Sequence, residues 1–254
     1  DIYKKQLKPS HSLIEFAAFV SFFPQLVAGP IVRAKEFLYQ IERERKFNIL
    51  NLEYGVQRFL WGLFKKAVIA DNIGLYLVDP VFADPSSYSS LSLWLASIGY
   101  AIQIYADFSG YSCMAIGSAL MLGFYLPENF KYPYLARDFS DFWQRWHITM
   151  SRFFRDYVYI GLGGNRCSSK RNTMNLATTT LISGLWHGAA WTFVLWGGIH
   201  GALIAFQRIL AGGRLSAFFS SRIFRQLLFY FFLLMTWITF RSLDISSAFD
   251  YYVG

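Results

Sequence analysis

Met174-Asn-Leu-Ala-Thr-Thr-Thr-Leu-Ile-Ser-Gly-Leu-Trp186-His187-Gly188-Ala-Ala-Trp191-Thr-Phe-Val-Leu-Trp196-Gly-Gly-Ile-His200-Gly-Ala-Leu-Ile-Ala-Phe-Gln207 contains no Asp, Glu, Lys or Arg. Two apolar stretches, Met174 to Trp186 and Ala189 to Phe206, flank a tight turn at 188–190 and read as a helical hairpin. An imidazole inside such a run is costly to bury unless it is hydrogen-bonded. Within a membrane, an ionisable residue is a functional-site hypothesis by default. His187 is therefore the first residue to explain.

The rest of the chain agrees with a lipid setting. Charged residues make up 16% of it and AVILMFWYC 54%, against about 25% charged in soluble domains. The 26 Phe, 16 Tyr and 8 Trp suit lipid-facing and interfacial surfaces. Further apolar stretches run from Leu13 to Ala28, Val56 to Val78, Leu91 to Leu122 and Leu227 to Phe240. A full span needs about 20 residues, so the expected fold is all-α, a polytopic transmembrane bundle with re-entrant or interfacial helices. Leu13 to Ala28 is short and holds Glu15 and Pro24, which suits a kinked span or a re-entrant segment. Lys65-Lys66 is expected to split Val56 to Val78, and Asp107 and Gly110 to interrupt Leu91 to Leu122.

The net charge of +8 is spread over short patches between apolar runs, which argues for cytoplasmic loops and against nucleic acid. Segments 30–53, 125–173 and 207–225 hold five, eight and four Lys/Arg, while 79–90 holds none. Alternation then places the three basic segments in the cytoplasm and Asp79 to Ser90 outside. Lys4, Lys5 and Lys8 conflict with this scheme unless Leu13 to Ala28 is re-entrant. Cys113 and Cys167 stand apart without a C-x-x-C partner, and the histidines at 11, 147, 187 and 200 have no i, i+4 pair. No metal site is expected. A chain that opens on Asp1 reads as an internal piece of a longer protein, taken here as one domain over 1–254.

Lys131 to Arg171 is basic and aromatic. Ser140 can cap a helix on which Phe142, Trp146, Thr149, Met150 and Phe153 share one face, with Arg145, Arg152, Arg155 and Asp156 off it. That is an amphipathic surface helix, or a wall that meets an anionic ligand; Gly161 to Arg166 then forms a loop. Asp107 needs a partner wherever it is buried, and could orient a histidine, line a channel or cap a helix begun by Ser109-Gly110. His200 reads as a packed or hydrogen-bonded histidine and His11 as solvated. Trp186, Trp191 and Trp196 read most simply as packing and interfacial residues. Two other classes compete: a metal-dependent membrane oxidase or protease, which the spacing of the histidines disfavours, and a transporter, because intramembrane His and Asp also build proton relays.

Five strings in order resemble the membrane-bound O-acyltransferase family, in its bacterial alginate O-acetyltransferase branch. They are Phe22-Phe23-Pro24-Gln25-Leu26-Val27-Ala28-Gly29-Pro30-Ile31, Tyr105-Ala106-Asp107-Phe108-Ser109-Gly110-Tyr111, Asn129-Phe130 through Pro133-Tyr134, Phe142-Trp143-Gln144-Arg145-Trp146-His147, and Gly184-Leu185-Trp186-His187-Gly188. The resemblance implies that His187 is catalytic and that His147, on a cytoplasmic-side helix, is a second functional position. It also implies further N- and C-terminal parts of the fold, beyond this chain. The expected reaction moves acetyl from cytoplasmic acetyl-CoA to a hydroxyl of an alginate-like exopolysaccharide, directly or through a periplasmic acetyltransferase alongside other polysaccharide-export components. The expected location is the bacterial inner membrane, crossed several times. D-alanyl transferases for teichoic acid share both histidines, so the acyl group is less fixed than the reaction. Histidine suits the base because its unperturbed pKa is about 6.5. Trp186, Trp146, Arg145, Arg152 and Asp107 are the substrate-contact candidates. Trp186, backbone N–H groups near Gly188, and His147 are candidate donors to the oxyanion, and Arg145 and Arg152 could attract the phosphates of coenzyme A.

Overall fold

The computed structural model describes residues 12–44, 46–212 and 222–253, together with Ile2 and Lys5. His11, Lys4 and Lys8 lie outside the described residues. No strand occurs among the described residues, so the all-α expectation holds. In chain order the helices begin with α1 (Leu13–Ser21), α2 (Ala34–Ile41) and α3 (Ile49–Leu63). The coil of α3 continues as a wider π-helix over Phe64–Ala70, α4 (Asp71–Ile73), a second π-helix over Gly74–Val78 and α5 (Asp79–Ala83). Then come α6 (Ser90–Met121), α7 (Phe139–Trp143), α8 (Ile148–Phe154), α9 (Ser169–His187), α10 (Trp191–Gly212), α11 (Arg222–Arg241) and α12 (Ile245–Val253). One of them, over Ile223–Arg241, is both long and apolar enough throughout to cross a membrane. The other long helices dilute their apolar residues with Gly, Ser, Thr and Tyr.

The helices fall into two compact units. The first contains residues 1–69 and 106–129. There the Ser12 hydroxyl accepts the Glu15 N–H at 3.2 Å and starts α1. The helix stops at Ser21, because Pro24 two residues beyond its C-cap sits in a 3-10 turn over Phe23–Gln25. Nine residues span only about 14 Å, so Leu13 to Ala28 is broken rather than a single crossing helix. Phe37, Val32, Ile116, Ala119 and Leu126 form this unit's core, with Phe19, Phe22, Ile41 and Phe124 packed on it.

Two expected interruptions do not occur. α6 runs unbroken for 32 residues, through Asp107 and Gly110. Asp107 is paired with Lys66 at 2.9 Å, and Lys65 reaches the Ser109 hydroxyl and the Cys113 thiol at 3.4 and 3.6 Å. Charges that find partners on the neighbouring helix leave the backbone no reason to break. The helix over Val56 to Val78 likewise passes Lys65-Lys66, with a π-helical coil in place of a gap. Gly110 is a contact point: a Cβ on Gly62 would stand 2.5 Å from its carbonyl oxygen, so the two backbones touch.

The second unit contains residues 70–105 and 130–254. Ser168 caps α9, its hydroxyl accepting the Arg171 N–H at 3.4 Å. α9 and α10 form the expected hairpin across Gly188 to Ala190. Their backbones meet at small residues: a Cβ on Gly184 would lie 2.2 Å from the Phe193 carbonyl oxygen, and one on Gly197 2.4 Å from that of Thr180. Val81, Leu93, Ala96, Ile238 and Tyr251 build a core in which the Tyr251 hydroxyl donates to the Leu93 carbonyl at 2.6 Å. Arg241, at the end of α11, holds Asp79 at 2.8 Å.

Candidate active site

The site lies in the second unit, where α9 ends and the chain between α7 and α8 turns a corner. The segment expected to form one helix from Ser140 through Phe153 is two short helices. Asp138, two residues before the expected cap, begins α7 by accepting the Asp141 N–H at 2.9 Å. The helix ends at Trp143, and α8 starts only at Ile148. At the corner His147 has φ 43° and ψ 55°, left-handed values uncommon for a residue with a Cβ. In a continued helix consecutive side chains would point about 100° apart. With the corner, Trp146 and His147 are both buried, at 4% and 3% exposure. The apolar stripe is thus mostly internal: Phe142, Thr149 and Met150 are buried and only Phe153 is exposed.

His187 is the last residue of α9 and is half-buried. Its ring meets Trp196 and Phe240 edge-on, each with centroids 5.2 Å apart, and Phe193 at 6.2 Å. Neither of its nitrogens has a hydrogen-bond partner among the described residues. Trp186 stands between the two histidines, 5.2 Å from the His187 ring and 6.1 Å from that of His147. The two imidazoles therefore belong to one site. His147 sits between helices too short to span a membrane. Burial first, and the charge of His187 second, push its pKa down to about 3, which keeps it neutral.

The remaining expected contacts divide. Trp146 is packed among Phe142, Trp237 and Phe130 at 5.0 to 5.5 Å. Arg145 is committed to Asp141, Nε to Oδ1 at 2.6 Å, with a second contact to the Lys131 carbonyl at 3.4 Å. Burial works to raise the Asp141 pKa, but bonds from Arg145 and Arg137 outweigh it and the net shift is downward. Arg152 is exposed on α8. Asp107 lies in the first unit with Lys66, and no helix begins at Ser109-Gly110 for it to cap. Among the described residues no three His, Cys, Asp or Glu side chains stand close enough to hold a metal ion.

His200 is packed and hydrogen-bonded, as expected, whereas the indole N–H of Trp196 is a feature that a packing role leaves unmentioned. His200 is fully buried and accepts the Trp143 indole N–H on Nδ1 at 3.3 Å. Trp196, 2% exposed, lies against both His187 and His200, and its indole N–H has no acceptor among the described residues. An unanswered buried donor costs about 1–3 kcal/mol. The i, i+4 spacing of Trp196 and His200 was the signal available for this pairing.

The chain belongs to the membrane-bound O-acyltransferase family, whose profile it matches over residues 3–247. It is 41% identical over 259 residues to the probable alginate O-acetylase AlgI of Azotobacter vinelandii, covering all of this chain and 50% of that protein. It is 43% identical over 242 residues to a peptidoglycan O-acetyltransferase of Helicobacter pylori, covering 94% and 46%. A teichoic acid D-alanyltransferase of Streptococcus thermophilus is 34% identical over 203 residues, covering 75% and 49%. The chain thus spans about half the length of these relatives.

Proposed function

We propose that this chain carries the acyl-transfer site of a multi-span O-acyltransferase of the bacterial inner membrane, which moves acetyl from acetyl-CoA to a hydroxyl of an alginate-like exopolysaccharide. The observation that carries the reading is the half-buried His187 imidazole, whose nitrogens have no partner among the described residues, grouped with Trp186 and His147 in a family of acyltransferases. His187 takes the proton of the acceptor hydroxyl as its oxygen attacks the thioester carbonyl carbon. The carbon–sulfur bond then breaks, and the imidazolium returns the proton to the departing thiolate. The acceptor is the polysaccharide itself or a periplasmic acetyltransferase that passes the group on. In this reading acetyl-CoA arrives from the cytoplasm, on the side of the basic stretch that holds Arg145 and Arg152.

Acetyl is favoured over D-alanyl because relatives named as acetyl-transfer enzymes match at 41 and 43% identity, against 34% for the D-alanyltransferase. The test is to incubate membranes containing the full-length protein with radiolabelled acetyl-CoA and follow the label. Label should reach an envelope polysaccharide or a partner protein, and the His187→Ala form should transfer none while folding normally. Undiminished labelling by His187→Ala would remove the histidine from the chemistry. Loss of proton-coupled flux with acylation intact would make the chain a transporter.

A further inference from the structure

Next to His187 stands a hydrogen-bond donor that finds no acceptor among the described residues. The Trp196 indole Nε1 is buried with no partner among those residues, and its ring meets the His187 ring at 5.2 Å and 87°. One helical turn further along α10, His200 lies 4.8 Å from Trp196, also fully buried. His200 Nδ1 accepts from Trp143, so its proton is on Nε2, and that nitrogen too has no partner among the described residues. Rings in contact with this pair include Phe139, Trp143, Trp237 and Phe240, none of which carries an oxygen to accept a bond. Buried polar groups are nearly always answered. Two unanswered N–H donors on one helix face, beside an imidazole, point to an acceptor that arrives with the substrate.

We propose that the Trp196 indole N–H donates to the carbonyl oxygen of the acyl thioester while that carbonyl is attacked at His187, with His200 Nε2–H as a second donor in the same wall. The assignment rests on the acyl-transfer reading above. As the hydroxyl oxygen bonds to the carbonyl carbon, the π electron pair moves onto the carbonyl oxygen. Trp196 stabilises that negative charge and keeps its own proton. Collapse restores the carbonyl and expels the thiolate, which takes the proton His187 removed. Trp186, expected for this task, is 53% exposed and less able to supply a dry donor.

The experiment uses the full-length protein in membranes with two replacements at position 196. One is Trp196→Phe. The other is 3-benzothienylalanine, incorporated in place of Trp196, which keeps the bicyclic shape and exchanges N–H for sulfur. Removing an oxyanion donor should lower kcat by about 100-fold, with KM for acetyl-CoA changed less than about threefold. The benzothienyl form should unfold at the wild-type temperature. A benzothienyl form with wild-type kcat overturns the proposal, as does a raised KM with kcat intact. Loss of activity in step with loss of folded protein assigns Trp196 to packing and overturns it equally. A fully active His187→Ala control sinks the acyl-transfer reading instead, whatever happens at position 196.

Discussion

Adjacent glycines on α10 should behave in opposite ways. A Cβ at Gly197 would stand 2.4 Å from the Thr180 carbonyl oxygen and 3.1 Å from its carbon. At Gly198 the nearest atom would be the end of the Leu181 side chain, at an ordinary 3.6 Å. Carbon and oxygen need about 3.4 Å, so Gly197→Ala must part α9 and α10 by about 1 Å. Forced overpacking of that kind costs about 1–3 kcal/mol, while alanine within a helix gains about 0.5–1 kcal/mol over glycine. Gly198→Ala keeps only the gain. The two variants should therefore differ by about 2 kcal/mol, or about 4–8 °C in unfolding temperature for a chain of this size. The activity gap should be wider. Thr180 is about two turns before His187 on α9, and Trp196 adjoins Gly197 on α10. A misplacement near 1 Å can cost about 100-fold in rate. Thermal unfolding in lipid nanodiscs and acetyl transfer by the same preparations measure both effects. If the two alanine variants proved equal in stability and in rate, the close backbone contact would not hold the site together.

Two further outcomes follow from the polar contacts. The folded-state pKa of Asp141 is below its ordinary 3.8, so its contribution is complete above that value and fades as pH falls below it. Asp141→Asn should cost about 1.5–3 kcal/mol at pH 7 and flatten the acid side of the stability curve, as read by unfolding temperature against pH. A variant that keeps the wild-type acid limb would dissociate Asp141 from it. Trp143→Phe strips the donor from His200 Nδ1 and should cost about 1–3 kcal/mol in the wild type, but almost nothing in a His200→Leu background. A double-mutant cycle on unfolding free energies measures that coupling, and additivity would refute the bond.

Much of this was legible in the chain. The hairpin around Gly188 follows from an uncharged run with a turn at its centre, and His187 stands out there because an imidazole among apolar residues demands a reason. What periodicity missed are effects of tertiary partners. Lys65, Lys66 and Asp107 look like helix breakers until each is placed against the other helix, where they answer one another. The 140–153 face keeps its spacing on paper, yet a single left-handed residue at His147 folds it into a corner. Its starting cap is Asp138, and Ser140 looked equally suitable by residue type. The Trp196 donor was invisible for a different reason. A tryptophan in an apolar helix is ordinary, and only its tertiary surroundings show that its N–H lacks an acceptor among the described residues.

The corner at His147 also bears on how any experiment there is to be read. The residue supplies two separable things, a left-handed turn of the main chain and a buried ring beside Trp186. Alanine or valine would resist the left-handed geometry and discard the imidazole together, so a dead His147→Ala enzyme would not say which loss mattered. Glycine or asparagine accepts the same dihedrals without the ring, and substitution by those two separates architecture from chemistry.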